Sequence, residues 1–444
     1  MRSIKLKSKI LVSLTLIITV LGLLTLGGAS QEDVKLTFWH HEAPSHRVKA
    51  FQEVINKFNE SHPNITVQQE VVSWGDAWSK TLSAIKSGTT PDFQFDIPEL
   101  NLSAYEANGI IPVDDLVNEL DEKYDYYDNN LGMYQHDGHY WGVPVWTMDM
   151  VLLYRPTLLK KYVGTTKPPT TWEETLEYAK KLTVDTNDDG KIDIHGIGLT
   201  ASKTLLTQEQ VWSVMTTYGA HIYDEEGNVD VNTQETIEAL RMYKRLWEYT
   251  PPAATGWSWG ETEMNFAGGK IAMMPYFGGL QRRFYQADNL DLRAARLPTP
   301  LGGQRSTVLY PNSIMIFKSA EERGVLEEVK EFIRFIMQPE INSILTIGQE
   351  PGSFLPVTHA TAESEHYWDS EYYYAYPSVN EVPVQEVPYG TLYGFSHGEV
   401  VNKGIGAVSG ANAIAEIVQQ VIIQGKSPEE AAEWAQKRIE ELSG

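Results

Sequence analysis

The sequence predicts an α/β protein of two lobes with a ligand cleft at the hinge between them, and three observations lead there. The chain has 444 residues, 42% hydrophobic and 21% charged, enough to bury a large core but more than one compact domain usually holds. Segments of strand and helix character alternate from Val34 onward, an order that gives a parallel sheet with its loops gathered at the carboxyl ends of the strands. Finally, the stretch from His139 to Tyr154 collects Tyr140, Trp141 and Trp146 around Gly142 and Pro144 before turning into a short apolar run. A segment rigid at Pro, free at Gly and lined with Trp suits the floor of a cleft.

The first 30 residues read as an export signal: Arg2, Lys5, Lys7 and Lys9, an uncharged apolar run from Ile10 to Leu26, then small residues to Ser30. Cleavage is expected just after Ala29; an uncleaved membrane anchor is the alternative that the length of the run permits. Either way the remainder is expected outside the cytoplasm. The leader holds four of the 36 basic residues and none of the 59 acidic ones, which leaves a net charge of −27. Such a surface repels phosphate backbones and keeps a protein soluble, so a monomer is expected and nucleic acid is not a partner. No cysteine is present, which excludes a disulfide framework and a lipid-modified cysteine after the leader.

Val34 to Trp39 alternates as a first strand should, ends in the polar cluster His40, His41 and Glu42, and precedes a helix from about Ser45 to Asn59. Ile65 to Val72 gives a second strand, followed by Ser73, Trp74, Gly75 and Asp76, whose carboxylate can cap the helix carrying Trp78. This order places Trp39, His40, His41, Trp74 and Trp78 on one rim. Asp92, Gln94 and Asp96 lie in the next strand-like stretch; two carboxylates and an amide are costly to bury unpaired, so they are expected to face the same rim. A helix near Leu102 to Ala107 and the Gly109 to Asp115 turn then lead to the aromatic stretch.

At that point the residues resemble a family. The Gly88-Thr89-Thr90-Pro91-Asp92 run, Tyr140 to Pro144, and Leu153-Tyr154 leading to Thr171-Trp172-Glu173-Glu174 are similar to extracellular solute-binding proteins of carbohydrate ABC importers, the maltose-binding-protein-like type. The likeness continues through Phe266 to Met273, Gly352 to Val357 and Ala431 to Trp434. It implies a periplasmic-binding-protein-like fold of two lobes joined by crossing segments, ligand held between them, closure on binding and a permease partner in the membrane. Leu297 to Gly303, rich in Pro and Gly, suits a second crossing. On this reading lobe one spans 34–145 plus 300–335 and lobe two 146–299 plus 336–444. One departure is Pro275-Tyr276-Phe277, where relatives often place a Trp as a sugar platform.

Sugars present hydroxyl edges and apolar C–H faces, so their sites need flat rings beside fixed carboxylates, amides and imidazoles. The chain has 12 Trp and 23 Tyr. The candidate ligand-binding residues are Trp39, His40, His41, Trp74, Gln94, Asp96, Trp146, Asp149, Trp257, Trp259, Tyr276, Phe277, Tyr310, Asn312 and Ser353. Trp146 and Trp257 are the expected stacking rings, and Asp96 and His41 the expected hydroxyl binders. Trp212 precedes Met215 and Tyr218 at helical spacing and reads as core, whereas the Tyr372 to Tyr376 and Tyr389 to Tyr393 stretches carry loop aromatics that could close over a ligand.

Three other chemistries are weighed against this one. A secreted glycoside hydrolase would need two carboxyls about 5 to 10 Å apart across one bond. A solute-binding protein for an anion would use Arg282, Arg283 or Arg293. A metalloprotease is excluded, because His41 to His46 has one residue too many between Glu42 and the second His, and Pro44 breaks the helix. No cofactor is required. Asp185, Asn187, Asp189, Lys191 and Asp193, with Gly190 at the sixth position, match the start of a calcium loop, so a structural Ca2+ is possible there, although Gly196 stands where a bidentate Glu is wanted. Asn59, Asn64 and Asn101 carry glycan-acceptor motifs.

Overall fold

A computed structural model describes residues 33–396, 399–400 and 402–444. The export signal and its cleavage position lie outside the described residues.

Two sheets organise the chain. The first has five strands in the order Ile65–Val71, Val34–His40, Phe93–Asp96, Asn312–Ile316 and Val143–Trp146. The first three are parallel, as the strand and helix order predicts. Asn312–Ile316 is inserted antiparallel to both of its neighbours, so the sheet is mixed. Leu36 and Phe38 alternate into the core, where Phe38 stacks on Phe93 at 4.8 Å. The Ser45–Ser61 helix closes over them with Phe51, Val54, Ile55 and Phe58, the 3.6-residue spacing of one apolar face. Asp76 stands at the N-cap of the Ala77–Ser87 helix, but its carboxylate takes the Ser73 hydroxyl at 2.7 Å and makes no cap bond.

The second sheet has four strands in the order Arg293–Ala295, Met150–Tyr154, Ile271–Phe277 and His195–Ile197. The apolar run at 150–154 is buried along its whole length and pairs antiparallel on both sides. The helices Trp172–Leu182, Leu205–Thr217 and Gln234–Trp247 belong to this half. Trp212 is core, as its spacing indicates, and its indole N–H donates to the Thr391 carbonyl at 3.2 Å.

The sheets are joined where Met148 and Tyr310 exchange backbone hydrogen bonds of 2.7 and 3.0 Å and Thr147 pairs with Leu355 at 2.8 and 2.9 Å. The first crossing is thus the aromatic stretch. The second is the buried segment Val308 to Tyr310 and not Leu297 to Gly303, whose Thr299 pairs with Thr170 and whose neighbour Gln304 donates to Thr217 on the second half. Proline and glycine mark a turn; a crossing through the interior has to pair its backbone, and an apolar extended segment does that. The chain beyond residue 336 does not pack as one unit with the second sheet. Met337, Ile341, Leu345, Phe354 and Val357 sit in the first core, and the Pro339–Gln349 helix lies on Ser45–Ser61.

The inter-lobe cleft as candidate functional site

Strand alternation divides the cluster at the end of the first strand. Trp39 lies on one face, its N–H donating to Glu70 at 3.1 Å and its ring under the Lys80 ammonium at 4.3 Å. His40 turns to the other face, where it stacks on Phe51 and is fully buried. His40 thus faces the interior, a departure from the sequence reading that follows from the two-residue period of the strand, while Trp39 is engaged by Glu70 and Lys80 on the opposite face. His41 lies past the strand end. Its ring packs against Trp74 at 4.3 Å, Nδ1 bonds the Val72 carbonyl at 2.9 Å, and Nε2 meets Gln94 at 3.3 Å. Burial lowers its pKa to about 4, so the ring is neutral at physiological pH. His41, Trp74 and Gln94 are therefore brought together, with Trp74 the partly exposed member.

The carboxylates of the next strand do not face the rim. Asp92 is buried against Thr37 and the Arg323 guanidinium. Gln94 is buried and bonded to Thr81 at 2.9 Å. Asp96 accepts from the Ser313 hydroxyl and from Asn101 at 2.7 Å; it is fully buried, which raises its pKa to about 7. The cost of burying these groups is met by internal partners that sequence could not place beside them. Asn101, bonded to Asp96 and the Trp141 carbonyl, is equally buried and cannot accept a glycan.

The hinge candidates are also interior. Trp146 is sandwiched between Phe95 at 4.4 Å and Phe354 at 4.9 Å, so both ring faces are taken and no sugar can stack on it. Asp149 is buried with no hydrogen-bond partner on either oxygen, and burial raises its pKa well above the usual carboxylate range. Tyr310 donates to Glu99, and Asn312 to the Tyr310 carbonyl at 3.1 Å. The Ser353 hydroxyl lies 4.0 Å from the Met148 sulfur.

The second sheet contributes an aromatic wall. Trp259, at the start of the Trp259–Ala267 helix, stacks on Phe277 at 5.8 Å and meets Tyr276 edge-on at 5.7 Å. Trp259 is partly exposed, whereas Trp257 is nine-tenths buried in the larger core with its carbonyl taking the Ser202 hydroxyl. The proline-rich loop before it folds inward, so Trp259 and not Trp257 is the candidate platform.

Charged groups that sequence reasoning did not select meet where the two lobes approach each other. Arg47, on the first-lobe helix, bonds Glu42 at 2.6 Å and Glu350 at 3.0 Å, with 21% of its side chain exposed. Burial alone would raise the Glu350 carboxyl, but hydrogen bonding by His46 and the neighbouring Arg47 hold it below its usual range. Glu263 of the second lobe takes the Tyr276 hydroxyl at 2.8 Å and the Arg283 guanidinium at 3.2 Å, and lies within electrostatic reach of Arg47 and Glu350. A Cβ added at Gly279 would sit 3.5 Å from a Glu350 carboxylate oxygen, so the two halves approach closely here. Glu42 stood beside His41 in the sequence and Glu350 just before the Gly352 motif, the available signals for both.

The model of bacterial extracellular solute-binding proteins matches residues 53–373. The chain belongs to this family. The family places this solute-binding protein outside the cytoplasm, and no helix among the described residues is long and apolar enough to cross a membrane. It is 27% identical over 323 residues to a Brucella abortus (strain 2308) protein named only as a binding protein, covering 71% of this chain and 74% of the relative. It is 23% identical to the Escherichia coli (strain K12) protein YcjN, named for an ABC transporter periplasmic-binding role, over 98% of this chain and 99% of that one. The structure of maltose-bound Thermotoga maritima MalE3 superposes with a TM-score of 0.77 at 19% identity, covering 92% of this chain and all of that one.

Two features of this solute-binding protein lie away from the cleft. In the 185–193 loop, Asp185 accepts from Gly190 N–H at 2.7 Å, Asn187 from Asp189 at 2.9 Å, Asp189 from Lys191 at 2.9 Å and Asp193 from Thr186 at 2.8 Å. The loop's polar side chains thus tie its own turns, and no metal-binding group of three or more His, Cys, Asp or Glu occurs among the described residues. An open depression of about 660 Å³ lined by Pro156, Thr157, Asn289, Asp291 and Arg293 sits at the end of the second sheet remote from the hinge, without aromatic lining.

Proposed function

We propose that this protein binds a neutral oligosaccharide between its two lobes and presents it to the membrane permease of an ABC importer. The observation that carries this reading is the approach of Arg47 and Glu350 of the first lobe to Glu263 of the second, with a partly exposed indole on each lobe, Trp74 set on buried His41 and Trp259 set on Phe277. Flat rings take the C–H faces of a sugar, and charged groups held by one another take its hydroxyls. The maltose held by the T. maritima neighbour and the ABC transporter role named for YcjN support the same class.

The lobe boundaries in this reading follow the packing: 34–146 with 312–368 in the first, and 150–308 with 371–444 in the second. A ligand touching both lobes favours the closed form; a difference of about 5.5 kcal/mol moves the population almost completely. An anionic solute is disfavoured because Arg282 donates to the Gly348 carbonyl, Arg283 to Glu263, and Arg293 to Leu290 and Leu292 carbonyls. Calorimetry with malto-, cello-, manno- and xylo-oligosaccharides tests the proposal. Heat and a raised melting temperature without new reducing ends are expected; new reducing ends would make it a hydrolase, and silence toward every sugar would remove it.

A further inference from the structure

Where the Phe93–Asp96 strand runs into the Pro98–Glu106 helix, at the sheet edge that also carries His41 and Trp74, the lobes meet through a buried polar cluster that the ligand reading above does not use. Glu99, on the Pro98–Glu106 helix of the first lobe, accepts from the Tyr310 hydroxyl of the crossing and from Ser409 of the Ile405–Gly410 helix at 3.0 Å. Tyr310 shares a hydrogen bond of 2.6 Å with Tyr393, which lies 3.4 Å from Ser409. Glu209, on the Leu205–Thr217 helix of the second lobe, is within electrostatic reach of Glu99. Each carboxylate keeps one buried oxygen without a partner, and Glu99, Glu209, Tyr310 and Tyr393 are all about 1% exposed or less.

The helices that carry the cluster are in close contact. A Cβ at Gly406 would fall 2.6 Å from the Ser103 hydroxyl and 3.2 Å from the Glu99 carbonyl, and one at Gly410 would meet the Trp78 indole nitrogen at 3.2 Å. Glycine at these two positions lets the second lobe seat directly on the first. The other titratable groups facing the cluster are Tyr134 and, beyond it, Asp96. Lys403 is at the solvent edge of the same contact, where it pairs with Asp137 at 2.9 Å. Among the described residues the groups acting most on Glu99 and Glu209 are hydroxyls and each other, and none is a cation.

Two carboxylates enclosed together without a cation cannot both stay ionised at acceptable cost. We propose that the Glu99–Tyr310–Tyr393–Ser409 cluster, with Glu209, is a proton-dependent latch that holds the lobes closed while its carboxyls are protonated and releases them when they ionise. Opening admits water to the cluster and returns the carboxyls toward their ordinary range, so the closed form binds protons more strongly than the open one. Its advantage is complete below about pH 4.3 and is lost as pH rises above that, by about tenfold in the closed-to-open ratio for each unit of difference.

The proposal rests on the two-lobe closure of the previous section but needs no sugar to test it. Because the chain has no cysteine, fluorophores can be placed on Glu106→Cys and Gln424→Cys, both exposed positions, one on each lobe. Energy transfer in the ligand-free protein should report at least about a tenfold loss of the closed form between about pH 5 and about pH 9. The Glu99→Gln/Glu209→Gln variant should show no such change. An inter-label distance that is the same at both pH values, or a variant that moves as far as its parent, overturns the latch. Should the double variant not fold, Tyr310→Phe removes the shared hydroxyl and keeps both carboxyls. It should be more open than its parent at about pH 5, and equal closure there would also overturn the proposal. Failure of every sugar in calorimetry would leave this result standing, so the two readings fail separately.

Discussion

The His41 imidazole and the Trp74 indole pack 4.3 Å apart with a 36° tilt, and hydrogen bonds to Val72 and Gln94 fix the imidazole from behind. The indole is thereby oriented by a buried, neutral ring while part of it stays in contact with solvent. Replacing Trp74 with Ala should weaken oligosaccharide binding by about 1.5 to 3 kcal/mol, roughly tenfold to a hundredfold. Trp39→Ala should leave affinity within about twofold, since the indole N–H is taken by Glu70 and the ring by the Lys80 ammonium. Titration calorimetry with the best sugar of the screen separates the two.

Trp146 belongs to the fold and not to the site. Its ring lies between Phe95 and Phe354, so Trp146→Ala should cost about 3 to 5 kcal/mol in denaturant unfolding. Affinity measured on the folded fraction should be nearly unchanged. A large affinity loss with intact stability would mean that a ligand reaches this ring.

The depressed pKa of His41 sets an acid limb of stability. Its ordinary value of 6.5 falls to about 4 on folding, so the unfolded chain binds the extra proton between those values. Stability from this group is present above about pH 6.5 and is lost as pH falls toward about 4, by up to about 3 kcal/mol. His41→Gln should flatten that limb. Unfolding midpoints of parent and variant at about pH 5 and about pH 7 check the sign, and parallel losses would count against it.

Arg47 holds Glu42 and Glu350 in a poorly hydrated place, with side-chain exposures of 7% and 15% for the two acids. Arg47→Met leaves both carboxylates without their cation and should destabilise the protein by about 2 to 4 kcal/mol. Arg334→Met, which breaks an exposed pair with Glu119, should cost less than about 1 kcal/mol. Chemical denaturation of both variants tests the contrast.

Much of the backbone plan could be read directly. The strands at 34–40 and 65–71, the helix at 45–61 and the crossing near 146–150 follow from local periodicity and from the placement of Gly and Pro, which act within a few residues. The site was legible only in part. His41 packs with Trp74, and Trp259 with Tyr276 and Phe277, as two separate groups, whereas Asp96, Trp146, Asp149 and Trp257 turn inward. An Asp in a strand reads as exposed until Ser313, 217 residues away, is found against it.

What the sequence by itself determined is the class of molecule: an acidic, cysteine-free α/β chain with a leader pattern, rich in Trp and Tyr, with the motif order of a solute-binding protein. What only the tertiary structure decided is which of those aromatic and acidic groups face the cleft. Strand direction, the insertion of 312–316 and the close seating of Gly406 on Ser103 join segments hundreds of residues apart. Burial and hydrogen bonding depend on those neighbours in space, and a chain read along its length carries no record of them.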